Sequence, residues 1–164
     1  MRMWTRSLIT IACILLITGC SSQDGADSKP RYQVAAENAA KGTAFLQQNA
    51  GQPGIVVLPS GLQYKILRAG SGPSARIDSN VTVHYRGTTT EGREFDSSYA
   101  RGKPIIFRAD RVIPGWTEAL QLMHEGAHWQ LFIPEQLAYG DRGAGSEIGP
   151  KETLVFEIEL LKVH

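Results

Sequence analysis

The chain has 164 residues, 42% of them hydrophobic, and its 17 basic and 16 acidic residues leave a formal net charge of +1. That near balance argues against the basic footprint of a nucleic-acid binder. With only two cysteines, Cys13 and Cys20, a scaffold stapled by several disulfides is excluded.

The chain opens with Arg2 and Arg6, followed by an apolar run from Leu8 to Ile17 that is too short to span a bilayer as a mature helix. Ile17-Thr18-Gly19-Cys20 then closes the run with small residues and a cysteine. This stretch resembles the lipobox of bacterial lipoprotein signal peptides, which implies cleavage before Cys20, diacylation of its sulfur and acylation of its nitrogen. Residues 1–19 are therefore expected to leave, taking Cys13 and two arginines with them. The remainder would carry a slightly negative charge, no free thiol, and two or three acyl chains, enough for stable membrane anchoring. The resemblance places the protein in the cell envelope. In a Gram-negative cell, Ser21 after the lipidated cysteine implies the outer membrane, facing the periplasm.

Residues 20–31 are rich in Ser, Asp and Gly and read as a flexible tether. Residues 32–57 hold a short helical segment and a linker. Val34, Ala35, Ala39 and Leu46 lie near helical spacing, Gly42 interrupts them, and Gly51-Gln52-Pro53-Gly54 stops the helix. From Leu58 the period changes to that of strands. Leu62, Tyr64 and Ile66 alternate with polar residues, as do Val81, Val83 and Tyr85. Ile105-Ile106-Phe107 is a short apolar run, and Ala127 to Ile133 and Leu154 to Leu160 each present one apolar face. One helix interrupts the strands: Pro114 suits its first turn, and Trp116, Ala119, Leu120 and Met123 recur at helical spacing. The expected fold of residues 58–164 is α+β, an antiparallel sheet with one face covered by this helix and preceded by a short N-terminal helix.

Six motifs occur in order along this region: Val83-His84-Tyr85-Arg86-Gly87, Phe95-Asp96-Ser97-Ser98, Phe107, Val112-Ile113-Pro114-Gly115-Trp116, Leu137-Ala138-Tyr139-Gly140 and Thr153-Leu154-Val155-Phe156. Together they resemble the FK506-binding-protein (FKBP) family of peptidyl-prolyl cis-trans isomerases over roughly Gly61 to Val163. The upstream run Leu58 to Lys65 is similar to the secreted bacterial branch typified by the macrophage infectivity potentiator. The resemblance implies a twisted antiparallel sheet wrapped around the helix that Trp116 opens. It places Trp116 as the floor of a pocket, with Tyr85, Phe95, Phe107, Val112, Ile113, Tyr139, Ile148 and Phe156 around it. Asp96, Tyr139 and the Ile113 N–H would supply polar contacts at the rim. Catalytic roles fall to Asp96, Tyr139, Phe95 and Trp116, and the other six residues would bind substrate. Read alone, Asp96 is more readily a turn or capping acid than a functional one.

The implied partners are proline-containing unfolded or exported polypeptides, with macrolides of the FK506 type as ligands. No cofactor or metal is expected: His84, His124, His128 and His164 lack the ligand spacing of a zinc site. Gly143-Ala144-Gly145 lacks the Lys-Ser/Thr of a phosphate loop, and no nucleophile elbow supports a triad of Ser97, His84 and Asp96. The chain departs from the family pattern at Arg108-Ala109-Asp110, where Leu-Gly is common, and at Ile148-Gly149-Pro150, where Ile-Pro-Pro is common. The second departure predicts a looser flap beside the pocket. Dimerisation is not carried over, because residues 32–49 match only the final part of the relatives' connecting helix, so a monomer is expected. A holdase or binding module that uses the same groove with little turnover is the alternative reading.

Overall fold

The computed structural model describes residues 29–164, so the expected signal peptide, the Cys20 lipidation site and most of the tether lie outside the described residues. Helix α1 (Arg31–Ala50) starts after Pro30, whose carbonyl accepts from Gln33 N–H at 2.9 Å, and it ends at Gly51. Unlike the sequence expectation, the helix runs unbroken through Gly42. Gly42 is the buried residue of α1 and lies against Thr153, where a Cβ would collide with the Thr153 side chain. The missing side chain thus lets the helix approach the sheet, and that packing outweighs the ~1 kcal/mol propensity cost of a mid-helix glycine.

Seven strands form one antiparallel sheet: β1 (Ile55–Val57), β2 (Gln63–Arg68), β3 (Asn80–Thr89), β4 (Glu94–Ser97), β5 (Ile105–Arg108), β6 (His128–Ile133) and β7 (Leu154–Val163). Their order is β1-β2-β6-β7-β3-β4, and β5 pairs with the first half of β3 on the side that β4 occupies further along. β1 and β4 are additional to the strands read from periodicity. β1 is laid along β2 with Val56 opposite Tyr64, inside the stretch expected to be linker.

Strand alternation decides which side chains face helix α2 (Pro114–Leu122). Leu154, Phe156, Ile158 and Leu160 are buried along β7, and Trp129, Leu131 and Ile133 along β6. They meet Trp116, Ala119 and Leu120 of α2 in one core with Leu62, Val81, Val83 and Tyr85. Each fully buried aliphatic side chain here contributes about 1.5–3 kcal/mol. Gly115 lies against Ile133, where a Cβ would stand 2.6 Å from the Ile133 methyl, so the first turn of α2 sits directly on β6. α1 covers part of the other face. Phe45 meets Phe132 at 5.9 Å, and buried Gln63 donates to Leu46 O at 2.9 Å and accepts from Asn49 Nδ2 at 2.8 Å.

The long connection between β6 and β7 carries two 3-10 turns, Glu135–Leu137 and Gly140–Arg142. Residues 139–151 of this connection form a flap beside the start of α2. No described helix is long and apolar enough to cross a membrane.

Candidate active site

Pro114 sets the geometry at the mouth of α2. As the residue before a proline, Ile113 is held extended, with φ −60° and ψ 148°. Its carbonyl accepts from Trp116 N–H at 2.9 Å and Thr117 N–H at 3.1 Å, which turns Trp116 into the core within one helical step. The Ile113 N–H donates to no acceptor among the described residues. It therefore stands free at the edge of a cavity of about 410 Å³ that Ile113, Val112 and Trp116 line.

Trp116 is only 4% exposed. Three rings meet it nearly edge-on: Tyr85 at 5.1 Å and 81°, Phe156 at 5.2 Å and 86°, and Phe107 at 5.8 Å and 89°. T-shaped contacts of this kind set the positive edge of one ring against the negative face of another, and they hold the cage rigid. The Trp116 indole Nε1 is buried without a hydrogen-bond partner. Tyr85 and Phe156 come from the paired strands β3 and β7, and Phe107 from β5.

At the rim, Tyr85 Oη donates to Asp96 Oδ2 at 2.5 Å, and Arg101 Nη2 donates to Tyr85 Oη at 2.7 Å. Arg101 Nη1 also donates to Asp96 Oδ1, and its guanidinium lies 5.5 Å from the centre of the Tyr85 ring. Burial pulls the Asp96 carboxyl upward. The hydrogen bonds from Tyr85 and Arg101, the Arg101 charge and the Ser97 N–H together outweigh it, so Asp96 titrates below the usual carboxylate range. Burial first, and then the hydrogen bond to Asp96, pushes the Tyr85 phenol up to about 12. Tyr139 borders the cavity from the flap, and burial followed by the Asp96 charge raises its phenol as well.

Of the ten residues expected at the site, eight line this one cavity: Tyr85, Asp96, Phe107, Val112, Ile113, Trp116, Tyr139 and Phe156. Phe95 and Ile148 stand outside its border. Phe95 packs edge-on against Phe156 at 5.5 Å and 83°, supporting a wall rather than forming it. Ile148 is 8% exposed and paired with Ala144 across the flap, which turns it into the core. Arg111 lines the cavity and Arg101 ties Asp96 to Tyr85; sequence reasoning singled out neither. Arg101 follows Asp96 by one turn of chain, and that short spacing of opposite charges was the available signal. The triad of Ser97, His84 and Asp96 is not assembled: His84 Nδ1 lies 2.8 Å from the Oγ of Ser98, and its ring stacks on Tyr99 at 4.5 Å. No cluster of metal-ligating side chains occurs among the described residues.

Residues 72–161 match the family described as FKBP-type peptidyl-prolyl cis-trans isomerase, and residues 21–66 match the domain amino-terminal to it. The chain belongs to the FKBP family. "Outer membrane protein MIP" of Legionella longbeachae is 57% identical over 129 residues, covering 79% of this chain and 55% of that protein. The crystal structure of FkpA from Escherichia coli superposes with a TM-score of 0.79 at 44% identity, covering 81% of this chain and 62% of that one. A peptidyl-prolyl cis-trans isomerase structure from Pseudomonas syringae pv. tomato gives a TM-score of 0.74 at 39% identity, covering 83% of this chain and 98% of that one. The chain spans about half the length of the curated FKBP relatives it matches, between 47% and 55% for three of them.

Proposed function

We propose that the chain is a peptidyl-prolyl cis-trans isomerase that acts on exported polypeptides as they fold, held at a membrane surface by lipid on Cys20. The cavity around Trp116 supports the catalytic part: it joins an aromatic cage, a free Ile113 N–H and the Asp96 carboxylate within one FKBP-family domain.

An X-Pro bond resists rotation with a barrier of about 18–20 kcal/mol because rotation breaks amide resonance. At the twisted transition state the carbonyl loses much of its dipole. A cavity walled by Tyr85, Phe107, Trp116 and Phe156 offers little solvation to the planar, dipolar amide and so favours the twisted one, which is differential binding. The prolyl ring rests on Trp116. The Ile113 N–H holds a substrate carbonyl, and Asp96 and Tyr139 orient the peptide at the rim. Phe95 acts by bracing Phe156, and Ile148 by holding the flap. The reaction needs no nucleophile, metal or proton donor, and macrolides of the FK506 type would compete for the same cavity. Action as a monomer rests on residues 32–49 corresponding to only the final part of the relatives' connecting helix.

The anchoring part rests on the lipobox-like run at Cys20 and on the outer-membrane name of the Legionella relative, which point to the cell envelope and, in a Gram-negative cell, to its outer membrane. A proline-limited peptide assay at low temperature on residues 21–164 tests the activity. Catalysed exchange is expected, and an uncatalysed rate from folded protein would sink the proposal.

A further inference from the structure

The departure at Ile148-Gly149-Pro150 predicts a loose flap, yet the flap is densely tied. Ala144 and Ile148 exchange backbone hydrogen bonds at 2.9 and 3.0 Å, and Lys151 N–H donates to Gly140 O at 2.8 Å, closing the loop at its base. Gly149 N–H, a donor that proline would lack, reaches Glu152 Oε2 at 2.6 Å. Arg93 adds a bond to Glu147 O at 2.7 Å. At the base, Lys151 is the one described non-glycine residue with positive φ, 55°, a conformation that L side chains occupy only when neighbours impose it.

Three further bonds to the flap come from outside the isomerase domain, from two residues of helix α1. Asn38 Nδ2 donates to Pro150 O at 2.9 Å, directly before the strained Lys151. Arg31 Nη2 donates to Asp141 O at 3.0 Å and to Arg142 O at 2.6 Å, at the end of the turn that follows Tyr139. The close approach of Gly42 to Thr153 fixes α1 at the depth where Asn38 can reach. The flap carries Tyr139 into the cavity.

We propose that Asn38 is a positioning residue for catalysis: it and Arg31 clamp the flap to α1 and so fix Tyr139 at the rim of the cavity. The inference rests on the isomerase reading above. It makes α1 part of the working enzyme rather than a spacer between tether and domain. Because Tyr139 contacts substrate in ground and transition states alike, loss of the clamp acts on KM more than on kcat.

The test compares wild type, Asn38→Ala, Arg31→Gln and, as a control on the same helix, Gln47→Ala, each on residues 21–164. Amide hydrogen exchange at Ile148 and Lys151 and the KM–kcat split in the peptide assay are measured well below the melting temperature of each. Arg31 is exposed, so its substitution leaves the core untouched even where Asn38→Ala is less stable. Flap amides exchanging faster, with KM raised about fivefold, the factor carried by one net hydrogen bond, and kcat within about twofold support the clamp. Gln47→Ala stays at wild type. Wild-type KM in both clamp variants overturns it, whether or not the flap amides loosen. A wild type no faster than the uncatalysed reaction refutes the isomerase reading itself, and is seen before any variant is compared.

Discussion

Gly87 on β3 is the point where the wall of the cavity can be moved by one methyl group. A Cβ built there would stand 2.6 Å from the Phe95 ring and 2.7 Å from the Phe156 ring. Phe156 has little room to yield, whereas half-buried Phe95 can shift only by losing its contact with Phe156. Phe156 is 3% exposed and wedged edge-on against Trp116, and Phe95 is wedged against Phe156. Overpacking of this kind costs about 1–3 kcal/mol, and replacing a strand glycine by alanine returns about 0.5–1 kcal/mol. The net loss for Gly87→Ala is about 0–2.5 kcal/mol, which lowers the melting temperature of a domain this size by up to about 10 °C. The displaced Phe156 also narrows the cavity, so kcat/KM falls about tenfold at a temperature where the variant is fully folded. Gly92→Ala is the comparison. Its φ is +86° with nothing within 4 Å, so backbone strain alone lowers stability and activity is unchanged. Calorimetry with the peptide assay checks both. Gly87→Ala as stable and as active as wild type would refute the packing argument.

Other expectations concern the rim and the anchor. Asp96→Asn removes the charge that Arg101 and Tyr85 both bind, and kcat/KM is expected to fall about tenfold, the scale of one hydrogen bond to a charged group; an unchanged value would mean Asp96 only shapes the turn. Arg101→Ala frees Asp96 and Tyr85 from their shared partner and should lower kcat/KM several-fold, with Arg101→Lys recovering part of it, as kinetics on the two variants would show. Because the folded-state value of Asp96 is depressed, its ion pair stabilises the fold above the ordinary carboxylate range and is lost as pH falls below about 4. With Tyr85 near 12, no group of this network titrates between about pH 5 and 10; a flat kcat/KM across that window is expected, and an inflection near neutrality that persists in Asp96→Asn and Tyr85→Phe would point to another group. Globomycin should accumulate unprocessed precursor in cells, and Cys20→Ala should abolish incorporation of labelled palmitate; a wild type that takes up no label would contradict anchoring.

Periodicity and Pro114 reveal the main strands and the start of α2, whereas the pocket can be read from the sequence only through the resemblance that the six ordered motifs carry. What was hidden depended on tertiary contact. Gly42 reads as a helix breaker until Thr153 is seen to occupy the space its side chain would fill. β4 is four residues long, with Glu94 and Asp96 among them, and exists because β3 offers it an edge. Ile55–Val57 is too short to show a period, and only pairing with β2 makes it a strand. The resemblance groups Phe95 and Ile148 with the pocket, whereas Phe95 packs edge-on against Phe156 and flap pairing with Ala144 turns Ile148 into the core. Arg101 and Arg111 carry no motif of their own. Their roles follow from where the turn after β4 and the entry to α2 bring them.

The central claim is that the cavity over Trp116 turns over X-Pro bonds. The direct measurement is exchange of a proline-limited peptide at low temperature by residues 21–164, alongside Phe95 and Asp96 variants of confirmed fold. Catalysis by wild type, reduced in both variants and competed by a macrolide of the FK506 type, is the predicted result. Uncatalysed exchange with folded wild type, or wild-type rates in both variants, would contradict it.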